Sequence, residues 1–271
     1  SFFGALTYTL CDKYVFNLNA RFDGADIIGT DNRFTPLWSA SFRWNAMREN
    51  FLKDVNFISD LAIRLSYGYT GNIDRSSYPI PMIFLSGYRY DENFVAESVT
   101  FPNPNIKWER KQDRNFGLDF GFWDNRIGGS FNYYWNTGKD LLGTMTTPES
   151  YGRTSIKANV SSIENTGWEF NVNLRLDLGA NVRWINSFNI AQNTNKIKKT
   201  YLKDLNELNV MGGSDNIEGY ASGSMFGYRF AGVNPLTGQA MIYLTDESRK
   251  ILADYRGVDI SQVADKIDTE E

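Results

Sequence analysis

The stretch NFGLDFGFWDNRIGGSFNYYWN, from Asn115 to Asn136, alternates with a period of two. Phe116, Leu118, Phe120 and Phe122 share one parity, and Asn115, Gly117, Asp119 and Gly121 share the other. After Trp123 to Arg126 the pattern resumes, with Ile127, Phe131, Tyr133 and Trp135 opposed to Ser130, Asn132 and Asn136. Successive side chains of a strand point to opposite faces, so this is a hairpin with one apolar and one polar face. The apolar face must meet either a protein core or lipid.

The same alternation recurs along the chain. It covers Tyr14–Phe22, Trp38–Trp44, Leu61–Tyr69, Phe116–Phe122, Ile127–Trp135, Trp168–Leu176 and Val182–Ile190. On the apolar parity of these segments only Gly129 and Asn186 break the run. On the opposite parity only Val15, Ala62, Tyr134, Ile185 and Ala191 are apolar. Hydrophobic residues make up 42% of the chain, so random placement would give the two faces similar character. An eighth segment, Phe2–Leu10, alternates less cleanly because Phe3 and Ala5 fall on the wrong parity.

The connections between these strands alternate in length. Residues 11–13, 123–126 and 178–181 are short, 46–59 a medium link, and 24–35, 71–109 and 137–165 long. Short turns at one end and long loops at the other mark an up-and-down transmembrane meander. A soluble sandwich has Greek-key crossings and no reason for that alternation. The polar parity carries Asn, Ser, Arg and Asp but no lysine, which suits a wet, crowded interior better than an open solvent face. Trp38 and Trp44 stand at opposite ends of one apolar face, and Trp135, Trp168 and Trp184 lie near strand ends. Tryptophan favours the headgroup level of a bilayer. Transmembrane helices need about 20 apolar residues in a row, and this chain has no such run.

Composition removes several chemistries. The chain has no histidine, which rules out a Ser-His-Asp triad, a Cys-His pair and histidine metal sites within it. Cys11 is the sole cysteine, so no intrachain disulfide or thiolate cluster forms. The net charge of -4 gives no basic footprint for nucleic acid. No metal or cofactor site is expected. Carboxylate-only catalysis stays open.

The passage NPNIKWERKQDRNFGLDFGFWDNRIGGSFNYYWNTGKDLL resembles the barrel of SusC/RagA-type TonB-dependent outer-membrane transporters. Four further passages agree. LAIRLSYGYTGN from Leu61 resembles that family's strand-then-loop signature, with Ile63 where leucine is usual. NVSSIENTGWEFNVNL from Asn159 resembles its Asn-x-Gly-x-x-x-Asn-x-Gly-x-Glu pattern, with Ser161 in place of the first glycine. SASFRWN and GYASGSMFGYRFAGVNPLTGQAMIY are the others, and the likeness covers roughly residues 1–245. The resemblance implies an all-β fold, about eight antiparallel strands of a larger plugged barrel in the outer membrane of a Gram-negative bacterium. It further implies import of glycans or peptides, a SusD-like surface lipoprotein as partner, and energy from the TonB complex through a region absent from this sequence. Membrane lipid would cover the outer face.

Residues 1–195 are expected to supply barrel strands and loops, and 196–245 an extracellular loop with a short hairpin near Asn234–Gly238. The charged segment 246–271 has helical character. The opening SFFGALTYTL reads as the middle of a longer chain, and the parent chain is expected to continue beyond the last residue. In the loop 71–107, Arg75, Tyr78, Tyr88, Tyr90, Asp91 and Asn93 are the candidates for binding substrate or partner. Sugar rings stack on aromatic faces, and Tyr and Arg are equally suited to a protein interface. Two other readings compete with the importer. One is a soluble carbohydrate-binding β-sandwich; the other is an outer-membrane enzyme with paired carboxylates at glycosidase separation.

Overall fold

The computed structural model describes residues 1–26, 28, 32–74, 82–90, 93–100, 103, 105–148, 150, 155–179, 182–201 and 216–268, with backbone alone at 82–84 and 96–100. The strands in chain order begin with β1 (Phe2–Leu10), β2 (Tyr14–Gly24), β3 (Phe34–Asn45) and β4 (Ile58–Asn72). Next come β5 (Met82–Tyr90), β6 (Asn93–Thr100), β7 (Glu109–Phe122) and β8 (Ile127–Thr146). They are followed by β9 (Ser155–Asp177) and β10 (Arg183–Lys199). Eight of them form one antiparallel sheet in the order β1-β2-β3-β4-β7-β8-β9-β10, while β5 pairs with β6. Among the described residues this sheet stays open, with β1 and β10 at its edges. β1 pairs with β2 along its whole length despite its imperfect alternation.

Short turns join the strands at one end. Cys11 and Asp12 take φ of 52° and 55°, and the Lys13 amide closes the turn on the Leu10 carbonyl at 3.0 Å. Trp123, Asp124 and Asn125 are also left-handed, the Arg126 amide reaching the Trp123 carbonyl at 3.1 Å. Two consecutive positive φ angles match the right-handed twist of the flanking strands, which is why such turns suit hairpins. Aspartate and asparagine tolerate that region; Trp123 is an unusual occupant.

The sheet is a single layer. Its apolar parity lies open, with Leu6 63% and Phe188 56% exposed. Among the described residues the buried hydrophobic side chains are few and scattered, Ala62, Ile106, Ala158 and Ile197 being examples. A sandwich requires a second sheet packed about 10 Å away over these side chains. No such sheet covers this face among the described residues.

Gly129, the gap in the apolar run, has a physical reason. A Cβ built there would collide with the Asn171 backbone carbonyl and sit 2.7 Å from the Phe120 ring, which lies over the glycine. Phe120 also lies 5.7 Å from Phe122 and 6.1 Å from Phe170, ring centre to ring centre.

Aromatic and polar groups bound the apolar face at both ends. At the short-turn end, Glu49 accepts from Lys13 Nζ (2.8 Å), Tyr14 Oη (2.6 Å) and Trp44 Nε1 (3.3 Å). The bonds from Lys13 and then Tyr14 lower its carboxyl to a pKa of about 2. At the other end, Trp38 packs 5.5 Å from Tyr67, Tyr67 bonds Tyr69 at 3.0 Å, and Trp168 donates to Gln192 at 3.1 Å.

Three segments read from sequence as loop are instead strand. The region 71–109 contains the β5–β6 hairpin. The region 137–165 is largely the continuation of β8 and β9, paired from Gly138↔Ile163 out to Thr146↔Ser155. β10 runs on to Lys199. These extensions lack the apolar alternation because neither face there need meet hydrocarbon, whereas backbone pairing continues regardless.

The chain divides into two compact units, Ser1–Leu205 with Asn216–Ser222, and Asn206–Asp215 with Gly223–Glu271. The second contains β11 (Phe230–Val233), β12 (Ala240–Tyr243), the helix α1 (Asp246–Arg256) and β13 (Lys266–Asp268). Asn234 shapes the β11–β12 turn by accepting the Leu236 amide at 2.9 Å, and Gly238 there has φ of 75°. Thr245 caps α1 through the Ser248 amide, and Gly257 ends it at φ 66°.

If lipid covers the apolar face, acyl chains flow into any gap left by a trimmed ring. Phe120→Ala should then cost about 1–2 kcal/mol, the transfer contribution without a cavity penalty. Phe120→Asp should abolish insertion. The folded fraction in outer membranes, read by heat-modifiability, checks both; equal damage by the two variants would mean that this face meets protein.

Candidate functional site

The polar face is held together by side chains that bond from strand to strand. Asn17 donates to Ser41 at 3.2 Å and Asn115 to Ser66 at 3.1 Å. Asn173 on β9 accepts from Ser187 on β10 at 2.7 Å, and donates to Asn171 of its own strand at 2.9 Å. Short amides and hydroxyls can bond each other across the strand spacing of about 4.8 Å, whereas a lysine would stretch past its neighbour.

One charged cluster stands out. Arg43 on β3 and Arg64 on β4 are directly opposite in register. Like charges in that relation repel. Asp119 on β7 resolves the conflict by accepting from Arg43 Nη1 at 3.0 Å and from Arg64 Nε and Nη2 at 2.9 and 2.7 Å. Arg64 reaches on to Asn132 on β8 at 3.0 Å. Its path crosses Gly117, where a Cβ would sit 2.9 Å from the guanidinium carbon, so glycine is what lets the arginine lie flat. Tyr134 similarly lies over Gly167 and donates to Asn193 at 3.0 Å. Beside the cluster is a recess of 280 Å³ lined by Asn17, Ser41, Arg43, Arg64, Ser66 and Asn115. Sequence places these residues on the polar face, but their grouping depends on inter-strand register, which alternation does not contain.

Of the loop candidates, Tyr88 and Tyr90 lie on β5 and are 81% and 80% exposed. Asn93 opens β6 opposite Tyr90. Between the two tyrosines, Arg89 stacks 4.6 Å over the ring of Phe94, a pairing missed from sequence although both residues flank the candidates. Arg75, Tyr78 and Asp91 lie outside the described residues. Among the described residues no cluster of three or more His, Cys, Asp or Glu side chains could hold a metal ion.

The family described as TonB dependent receptor-like, beta-barrel matches residues 1–259. The chain belongs to this TonB-dependent receptor barrel family. TonB-dependent receptor P3 of Formosa agariphila is 36% identical over 245 residues, covering 86% of this chain and 24% of that protein. TonB-dependent receptor SusC of Bacteroides thetaiotaomicron is 35% identical over 207 residues, covering 73% and 21%. Among solved structures, the RagAB peptide importer in its closed-closed state superposes with a TM-score of 0.79 at 25% identity, over 89% of this chain and 27% of that one. The chain thus spans about a quarter of the length of these relatives.

Membership in the TonB-dependent receptor barrel family gives each face its medium. The protein resides in the outer membrane of a Gram-negative bacterium, with the apolar parity toward lipid. The polar parity, with Arg43, Arg64 and Asp119, faces the barrel interior.

Removing the shared acceptor should leave two opposed guanidiniums. Asp119→Ala should destabilise the protein by about 1–2 kcal/mol, discounted for the partial exposure of both arginines. Gly117→Ala should cost a similar amount by displacing Arg64, and the double variant should cost little more than Asp119→Ala. Urea titration of the heat-modifiable band measures this. Additive losses would separate Gly117 from the cluster.

Proposed function

We propose that this chain forms part of the wall and outer binding surface of an importer for oligosaccharides or peptides. TonB supplies the energy and a SusD-like lipoprotein closes the outer mouth. The observation that carries the reading is the division of one sheet into a lipid-facing apolar side and a cross-bonded polar side with the Arg43–Asp119–Arg64 recess. A conduit wall needs both. The name of the RagAB peptide importer supports peptides as one substrate class.

In this reading substrate first meets the β5–β6 hairpin, where Tyr88, Tyr90 and Asn93 offer aromatic faces and a planar amide; Arg75, Tyr78 and Asp91 are proposed as further contacts from their place in the same stretch of sequence. It then passes along the polar wall as the plug rearranges. Residues 1–195 build wall and loops, 196–245 an extracellular segment, and 246–271 a charged extension. The protein makes and breaks no covalent bond. Asp119, the carboxylate at the centre of the polar cluster, has its oxygens occupied by two guanidiniums rather than facing a second carboxylate at glycosidase distance.

The short turns belong on the periplasmic side. Exposed Cys11 is a native reporter there, since an impermeant maleimide should reach it in lysed cells and not in intact ones. Ser86→Cys should label in both. Labelling of Cys11 from outside would reverse the orientation.

Binding is tested by uptake of labelled oligosaccharides and peptides into cells with and without TonB. Tyr88→Ala and Tyr90→Ala should each lower uptake at limiting substrate by roughly fivefold, the value of one aromatic contact, without changing the folded fraction. Unchanged uptake in the double variant would remove these tyrosines from the binding surface.

A further inference from the structure

Phe3 and Ala5 break the alternation of β1, and the structure puts both on the polar face. Phe3 stands opposite Arg21 in register and Ala5 opposite Asn19. The Phe3 side is open to the interior, the residue being 87% exposed. Beside it the wall sinks into a recess of 990 Å³ at the long-loop end of β1 to β4, lined by Phe3, Asn19, Arg21, Asp23, Ser39 and Asn72 among others. Arg21 and Asp23 are the charged side chains of this lining, and Arg21 Nε meets Asp23 Oδ2 at 2.6 Å. Asp23 is 6% exposed, and its other oxygen, Oδ1, is buried with no hydrogen-bond partner among the described residues. A buried carboxylate oxygen without a donor is costly, and the cost is removed when a donor arrives. The Arg21 side chain is 63% exposed and has room to turn and admit one.

Together these features narrow the ligand. An ammonium reaching Asp23 would meet the Arg21 charge, and a carboxylate reaching Arg21 would meet Asp23. A hydroxyl suits both, since it donates to the carboxylate and accepts from the guanidinium. An extended peptide gains affinity by adding to an open strand edge. Here β2, which carries the ion pair, is laddered to β1 on one side and β3 on the other. Phe3 adds a flat apolar surface, against which the C–H face of a pyranose sheds water.

We propose that this recess binds one ring of a neutral oligosaccharide, stacked on Phe3, with neighbouring hydroxyls at Asp23 and Arg21. The assignment rests on the importer reading above, and for this part of the wall it chooses sugar over peptide.

The test uses the full-length protein in detergent, titrated calorimetrically with unlabelled hexasaccharides of glucose, mannose and galactose and with a pool of hexapeptides. At least one hexasaccharide should bind. Phe3→Ala should weaken its binding roughly fivefold, the value of one aromatic contact. Asp23→Asn should weaken it about tenfold, the value of a hydrogen bond to a charged group. Phe2→Ala, next in sequence but on the lipid side, should leave sugar binding unchanged, and hexapeptide binding should be the same in every variant. Binding of no hexasaccharide, or equal binding by Phe3→Ala and the unaltered protein, overturns the proposal. So does a loss of hexapeptide binding in the two recess variants, which would give the recess to peptides. If Asp23→Asn does not fold, Phe3→Ala decides, because an exposed ring is trimmed without opening a cavity. The importer reading fails separately. Uptake independent of TonB sinks that reading whatever the calorimetry shows, while TonB-dependent uptake with unchanged calorimetry in both variants sinks this site alone.

Discussion

Inside a bilayer a backbone amide has no water to turn to, and leaving it unpaired costs several kcal/mol. The continuous antiparallel ladder from β1 to β10 answers that constraint, and the other features follow from it. A sheet that satisfies its own backbone can stand as one layer between two different solvents. Neither face then needs a core. That is why a chain of 271 residues folds with so few buried hydrophobic side chains among those described.

The two faces are stabilised by opposite means. On the lipid side, ring contacts such as Phe120 with Phe170 and the cover over Gly129 smooth the surface without needing directional bonds. On the interior side, directional bonds do the work, and glycines make room for them. Gly117 under Arg64 and Gly167 under Tyr134 allow long polar side chains to lie along the sheet instead of projecting from it. A glycine usually weakens a strand. Here the loss is offset by bonds that link β3, β4, β7 and β8 through Asp119 and Asn132.

How much of this was legible in the sequence depended on whether a residue's surroundings imposed a period. Between the two aromatic belts each strand has lipid on one side and water on the other, so alternation located the hairpin Phe116–Trp135 and its turn. Beyond the outer belt that contrast disappears. β8 past Asn136 and β9 before Trp168 remain paired, but nothing in their composition requires it, and they read as loop. Arg114 is hidden for a related reason, since it is the residue at which the outward parity of β7 turns polar. The Arg43–Asp119–Arg64 cluster needed register between segments far apart in the chain, information that no single strand holds. Tyr88 and Tyr90 were legible as aromatics in a polar setting, but their placement on a paired hairpin was not.

The belts also fix a length. On β8 the apolar run from Ile127 to Trp135 spans about 26 Å of strand, or about 20 Å of height at a tilt near 40°. Glu49 with Tyr14 and Trp44 anchors one edge, and Tyr67, Arg114 and Trp168 mark the other. A band this short matches only a thin hydrocarbon layer. In a thicker membrane the surrounding lipids would have to compress at a cost rising with every ångström of mismatch. The same aromatic and charged edges that hold the protein upright therefore act as a gauge, selecting by thickness the membrane in which it can rest.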